Sequence, residues 1–354
     1  MNQGLLRIGI VTKKNGKGGG PYESSKRILN SKLKNEFDLI NIEYDSSIGR
    51  KISYTRINKL ILQFRSYNID LVHFSGLQLE GFHISIAAFL SKTKSLIAIR
   101  GFSGDDKSLG FVKRLLMTLV FEPLTLVLVS SFYSNSIYTS KRRLLKLFRK
   151  KSKGVIYNLQ PFKKNQFESL TKISKSDSRL KILVVSRITE EKGFKNLSKI
   201  ISAVNPLQIE FTIVGDGDYK PEFISSLKSL ENITFTGIVE DVTKYYLDTD
   251  VLLHPSLHET LGNVLIEASL NKVPIIASRV GGIPEIVIHN KTGYLVDPND
   301  IDSFVHYINT LKEDSELRSD FGAKAFEVVT EKFNRDLVEF QLSQLFVDLT
   351  SSNE

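Results

Sequence analysis

The chain is 354 residues long, more than one ordinary domain needs and suited to two. Hydrophobic residues make up 41% and charged residues 25%, and the absence of cysteine excludes disulfides and thiolate metal sites. The net charge of +9 is unevenly spread, with 29 Lys/Arg against 11 Asp/Glu in residues 1–168 and 19 against 28 in residues 169–354. That imbalance points to an anionic partner for the first half alone: a membrane surface, a phosphorylated acceptor or nucleic acid.

The N-terminal stretch MNQGLLRIGIVTKKNGKGGG has one short apolar run, broken by Arg7. It lacks the h-region and cleavage site of a signal peptide. The most apolar stretch, Leu115 to Val129, carries Glu122 and Pro123 at its centre. It is too short and too interrupted to span a bilayer of ~30 Å, so a cytoplasmic protein is expected.

Short runs of Val, Ile, Leu and Phe alternate with longer helical stretches, the pattern of βα units around a parallel sheet. In the first half, strands are expected near LLRIGIVT, FDLINIEY, DLVHF, SLIAIRG, TLVLVSS and GVIYNL. The pattern lapses after residue 160, which sets residues 1–168 apart as one domain with a polar linker at 169–178. A second series, KILVVSRI, IEFTIVGDG, ITFTGIV, DVLLHPS, VPIIASRV and GYLVDP, lies within a second domain at 179–335. Residues 336–354 form an amphipathic helix expected to pack back on the first domain. The fold class is α/β, with two doubly wound Rossmann-like domains facing a central cleft and ligands at the carboxyl ends of the strands.

After the first strand, KKNGKGGGPYESS places Gly19 and Gly20 where a backbone can approach a ligand closely. This is neither a Walker A loop nor a dinucleotide fingerprint. From Tyr138 to Gly154, eight cations include Lys141, Arg142, Arg143, Lys146, Arg149 and Lys150, interleaved with leucines. As a helix this segment is basic and amphipathic, a candidate membrane-facing surface. An ordinary helix with its leucines in the core fits the same pattern.

In the second half, VVSRITEEKGF sets Arg187 and Lys192 just past a buried strand, where a pyrophosphate meets one bidentate and one point cation. Further on, DVLLHPS leads to a loop holding Glu259 and Thr260, then to a helix starting near Gly262 and carrying Glu267. Backbone groups of Leu261, Gly262 and Asn263 at that helix start suit a diphosphate. The Glu267 carboxylate suits ribose hydroxyls. His254 and His258 read as packing residues, and no metal site is expected.

These segments, in this order, resemble the retaining GT-B glycosyltransferases of family 4, of the bacterial surface-polysaccharide type. The family's pair of glutamates with seven residues between them is matched by Glu259 and Glu267 in ETLGNVLIE. VVSRITEEKG, IVGDG, VIYN and GGIPEIV with TGYLV match further family stretches. The resemblance implies a nucleoside-diphosphate sugar donor, no cofactor and no metal, and transfer with retention. It assigns the diphosphate to Arg187, Lys192, Gly19, Gly20 and the Leu261–Asn263 backbone, the ribose to Glu267, and sugar hydroxyls to Glu259. Arg100 stands where the family often has a histidine; it suits a leaving phosphate or an anionic acceptor and is no base at neutral pH.

The expected activity is transfer of a sugar to a hydroxyl of a lipid-linked or growing glycan, by a peripheral protein on the inner face of the cell membrane. The rivals are a soluble sugar-nucleotide enzyme on the same fold, either a 2-epimerase or a transferase to a sugar phosphate, and a donor-binding subunit without activity. A nucleic-acid partner is not expected, because no recognition motif accompanies the basic half.

Overall fold

The computed structural model describes residues 5–14, 20–45, 52–105, 109–160, 179–227, 229 and 231–351. The chain divides into two compact units, Met1–Pro161 with Arg335–Glu354, and Phe162–Asn334. The expected linker at 169–178 lies outside the described residues.

The first unit holds one parallel sheet of β1 (Arg7–Lys14), β2 (Asp38–Asp45), β3 (Leu71–Ser75), β4 (Lys94–Ile99), β5 (Ser131–Ser134) and β6 (Ser152–Val155). Their spatial order is β2-β1-β3-β4-β5-β6. The helices between them are α1 (Gly20–Leu29), α2 (Tyr54–Ser66), α3 (Leu79–Ser91), α4 (Phe111–Leu116), α5 (Glu122–Leu128), α6 (Ile137–Ser140) and α7 (Arg143–Leu147). A π-turn, Met117–Phe121, joins α4 to α5. Central strands are apolar on both faces because helices cover both; β3 buries Leu71, Val72 and Phe74 completely. His73 in the same strand is fully buried and bonds the Tyr133 hydroxyl at 2.9 Å. Burial, helped by the charge of Arg100, lowers its pKa to about 3, so it stays neutral.

Two expectations for this unit are corrected. The run TLVLVSS is helical as far as Leu128, and the strand is the next segment, Ser131–Ser134. A short apolar run fits a buried strand and a helix face equally, and Pro123 falls where the π-turn Met117–Phe121 passes into α5. GVIYNL likewise contributes only its start to β6, which begins at Ser152.

The basic segment is also not one amphipathic helix. The chain breaks between α6 and α7 and again before a turn of 3-10 helix, Arg149–Lys151. Leu145 is buried, and Leu144 and Phe148 pack against the core of the unit. Leu147 alone points outward, 80% exposed. Arg142 turns to pair with Asp105, while Lys141, Arg143, Lys146, Arg149 and Lys150 remain exposed.

The second unit repeats the plan with β7 (Leu180–Val185), β8 (Ile209–Val214), β9 (Ile233–Gly237), β10 (Val251–His254), β11 (Ile275–Ser278) and β12 (Gly293–Val296). These lie parallel in the order β12-β11-β10-β7-β8-β9. Its helices are α8 (Phe194–Ala203), α9 (Lys220–Ser225), α10 (Thr243–Leu247), α11 (Asn263–Leu270), α12 (Ile301–Glu313) and α13 (Ser315–Lys332).

The last helix, α14 (Arg335–Ser351), is part of the first unit. Its Val338, Leu342, Leu345, Phe346 and Leu349 join the core formed by Ile8, Ile10, Leu71 and Leu96. Phe346 meets Phe37 edge-on at 5.5 Å, and Lys32 pairs with Asp336 at 2.6 Å. Burial of one such phenylalanine is worth roughly 1.5–3 kcal/mol, which fastens the chain end to the first sheet.

Candidate active site

Strand order in the second unit fixes where a site can form. The chain runs outward from β7 through β8 to β9, then returns to place β10 on the other side of β7. Loops leaving β7 and β10 therefore diverge at the carboxyl edge, the place where doubly wound sheets take ligands. Both loops carry the charged residues singled out above.

After β7, a turn of 3-10 helix, Glu190–Lys192, ends on Gly193, whose φ is +78°. A β-carbon on Gly193 would stand 1.8 Å from the carbonyl oxygen of Pro255, so only glycine lets the two loops close up. Leu257 N–H also donates to Glu191 O at 2.9 Å. This clasp delivers Lys192 Nζ to 2.8 Å from Glu259 Oε2.

The Glu259 carboxylate is held from several sides. Its Oε1 accepts from the backbone N–H of Thr260 at 3.1 Å, and the buried His254 Nε2 lies 3.6 Å from Oε2. Gly281, at φ +56°, packs against the Glu259 backbone from beyond β11, where a β-carbon would come 1.6 Å from the Glu259 carbonyl oxygen. Burial would raise this carboxyl, but the charge of Lys192, and then the neighbouring His254 ring, outweigh it and hold the group below the usual carboxylate range. Side-chain exposures of 13% for Lys192 and 16% for Glu259 leave the pair reachable from one side.

Next in the chain comes α11, whose first turn follows Gly262 and has no side-chain cap. Its backbone N–H groups give the loop a partial positive charge. One turn further on, Glu267 Oε2 accepts from the Tyr246 hydroxyl at 3.3 Å, which steadies a half-buried carboxylate on the helix face. Arg187 follows β7 directly, exposed and without an ion pair among the described residues. The edge thus gathers two cations, two carboxylates and a helix start, a set that can grip a diphosphate and the hydroxyls beside it.

Residues 165–328 match the family model described as Glycosyl transferases group 1. The second unit carries a glycosyl transferases group 1 domain. The sulfoquinovosyl transferase SQD2 of Arabidopsis thaliana is 34% identical over 158 residues, 43% of this chain and 30% of that protein. The capsular polysaccharide biosynthesis glycosyltransferase CapM of Staphylococcus aureus is 23% identical over 336 residues, 88% of each chain. The chain spans between 30% and 56% of the length of the first curated relatives it matches. Among solved structures, Anabaena Alr3699/HepE in complex with UDP and glucose aligns with a TM-score of 0.79 at 17% identity, over 97% of this chain and 100% of that one. That likeness is one of fold: two parallel six-stranded sheets with flanking helices, the GT-B type.

Within the group 1 domain, the residues expected to meet the donor all lie on the loops after β7 and β10 or on α11. His254 is the addition. It is a packed residue, as its pattern suggests, and it also brings Nε2 to 3.6 Å from Glu259 Oε2. The signal was its place as the last residue of β10, where a side chain reaches the carboxyl edge.

The remaining candidates lie in the first unit. Gly20 begins α1 and is exposed, while Gly19 lies outside the described residues. Arg100 follows β4, where its Nε donates to Ser75 Oγ at 3.1 Å and its Nη1 to Asn158 Oδ1 at 2.5 Å. It ties the carboxyl ends of β3 and β4 to the segment after β6. Burial lowers its pKa, but a guanidinium keeps its charge at any working pH. Among the described residues, no group of three or more His, Asp or Glu is arranged to hold a metal ion.

Proposed function

We propose that this chain is a retaining GT-B glycosyltransferase of family 4, moving a sugar from a nucleoside diphosphate to a hydroxyl of a lipid-linked or growing glycan. The observation that carries this reading is the Lys192–Glu259 pair beside the start of α11, at the switch point between β7 and β10. In a nucleotide sugar the diphosphate adjoins the sugar, so a cation and a hydroxyl-binding carboxylate must adjoin as well. The similarity to CapM supports a role in surface-polysaccharide synthesis.

In this reading Arg187, Lys192 and the first amides of α11 hold the diphosphate. Glu267, steadied by Tyr246, holds the ribose, and Glu259 binds sugar hydroxyls. As the bond between the anomeric carbon and the phosphate oxygen breaks, these cations and dipoles stabilise the charge growing on the phosphate, the term that usually dominates. The acceptor oxygen bonds to the anomeric carbon on the same face, and its proton passes to the departing phosphate oxygen. No metal ion and no cofactor take part. Arg100 is the group offered to an anionic acceptor. The protein works as a peripheral protein at the inner face of the cell membrane.

Incubating the purified protein with labelled UDP-, GDP- and ADP-sugars and a lipid extract tests the reading. Label should move to lipid from one donor, with the anomeric configuration kept, and Arg187→Ala should slow it at least tenfold. Undiminished transfer by that variant, or none with any donor, counts against the proposal.

A further inference from the structure

From Phe111 to Leu128 the chain forms one helical rod of α4, the π-turn and α5, with helical backbone angles throughout the joints. One side of the rod faces the first unit's interior through Met117, Glu122, Thr125 and Leu126. The opposite side is also apolar, yet it faces outward: Phe111 is 70% exposed and Leu119 65%, with Val112, Leu115, Leu116 and Val127 beside them. Exposed apolar residues at helical spacing over five turns form a continuous stripe, not the scattered single residues of an ordinary surface. The last turn of α3, packed against α5, adds exposed Phe89 and Leu90.

Charge says what covers the stripe. Residues 109–160 contain ten Lys/Arg and one acidic residue. That acid, Glu122, is buried and bonded to the N–H of Ser103. Lys113 and Arg114 lie at the start of the rod. At its other end, Lys151 Nζ donates to the carbonyls of Leu126, Val127 and Val129, which fixes the turn Arg149–Lys151 there with Arg149 and Lys150 exposed. Cations thus stand at both ends of an apolar stripe. A second copy would set this cationic surface against its like, whereas an anionic bilayer offers phosphates at the surface and acyl chains beneath. At ~1.5 Å per residue the rod is about 27 Å long and suits lying in the membrane plane. No helix among the described residues is long and apolar enough to cross a membrane.

We infer that the Phe111–Leu128 rod is an interfacial membrane anchor, with its apolar stripe inserted at the headgroup boundary of an anionic bilayer and Lys113, Arg114, Arg149 and Lys150 on lipid phosphates. This rests on the membrane-associated part of the function proposed above. It moves the contact from the 141–150 segment, where Leu144, Leu145 and Phe148 are used in the core, to the rod.

The chain contains no tryptophan, so a Leu119→Trp variant reports on this stripe alone. A Leu207→Trp variant, at an 81% exposed site in the second unit, serves as control. The full chain is mixed with vesicles of phosphatidylglycerol and phosphatidylcholine, with and without acyl-chain bromines. Emission of the Leu119→Trp variant should shift to the blue and be quenched by the brominated lipid, while the control should stay unchanged. A Leu115→Asp, Leu119→Asp pair should cut vesicle binding at least tenfold and leave nucleotide-dependent thermal stabilisation intact, which shows that the protein is folded. Binding that salt abolishes, with no quenching, would keep an electrostatic attachment and overturn the insertion. No binding to any vesicle would overturn both, and a dimer broken by the Asp pair would assign the stripe to a second copy instead. None of these outcomes depends on sugar transfer, so they stand apart from the test of the activity.

Discussion

Lys192 and Glu259 come from loops that follow different strands, yet their side chains meet at 2.8 Å, with the contact enforced by Gly193 on one side and Gly281 on the other. An ammonium and a carboxylate sharing a half-open site are set to part when a ligand brings its own phosphate and hydroxyls. Lys192→Ala should therefore lower kcat/KM by about 10²–10³, the usual loss for one charge-stabilising donor. Steady-state rates with the preferred donor check it.

The same pair makes a prediction about acid. The Glu259 carboxyl is held below the usual range, so the folded state releases its proton more readily than the unfolded state. That contribution is present above the unfolded pKa and disappears as pH falls through the folded one. The second unit should lose stability as pH falls below about 4.5, where the unfolded carboxyl is half protonated. Glu259→Gln should flatten that loss in thermal melts across the acid range.

Gly281→Ala should damage the site from a distance. Its β-carbon would come 1.6 Å from the Glu259 carbonyl oxygen at a φ of +56°, so backbone must shift. A cost of about 1–3 kcal/mol is expected, typical of strain at such a position. Thermal melts should show the unit destabilised, and nucleotide binding should weaken even though the substitution adds no charge.

Glu122 should give the opposite pH signature. Burial beneath the rod is the main cause that raises its pKa to about 7, against the bond from Ser103 that lowers it. The folded state then keeps a proton that the unfolded chain has lost, so stability is present below the unfolded pKa near 4.5 and falls as pH rises to about 7. The loss is on the order of 3 kcal/mol. Glu122→Gln should melt higher than the parent at pH 8 and alike at pH 4.5, as calorimetry would show.

Much of this was readable in the residues because the second domain's signals are local. Arg187 and Lys192 follow a buried strand, and Glu259 through Glu267 span one loop and one helix, so spacing alone sets their neighbourhood. The first domain's departures were not readable for the same physical reason in reverse. TLVLVSS has no period that separates a buried strand from a helix face, and only tertiary contacts such as the bonds from Lys151 to the Leu126, Val127 and Val129 carbonyls decide. Leu144, Leu145 and Phe148 fit a membrane-facing helix by pattern, but the break near Lys141 turns them to the core. The partnership of His254 with Glu259 depends on loop closure over Gly193, which no spacing rule encodes.

The most direct test is calorimetric titration of UDP, GDP and ADP, and of the matching nucleosides, into the protein and into an Arg187→Ala, Lys192→Ala variant. At least one diphosphate should bind the parent, and the double substitution should weaken it thirtyfold or more while leaving weak nucleoside binding as it was. Equal diphosphate affinity in parent and variant would contradict the claim that these cations form a donor site.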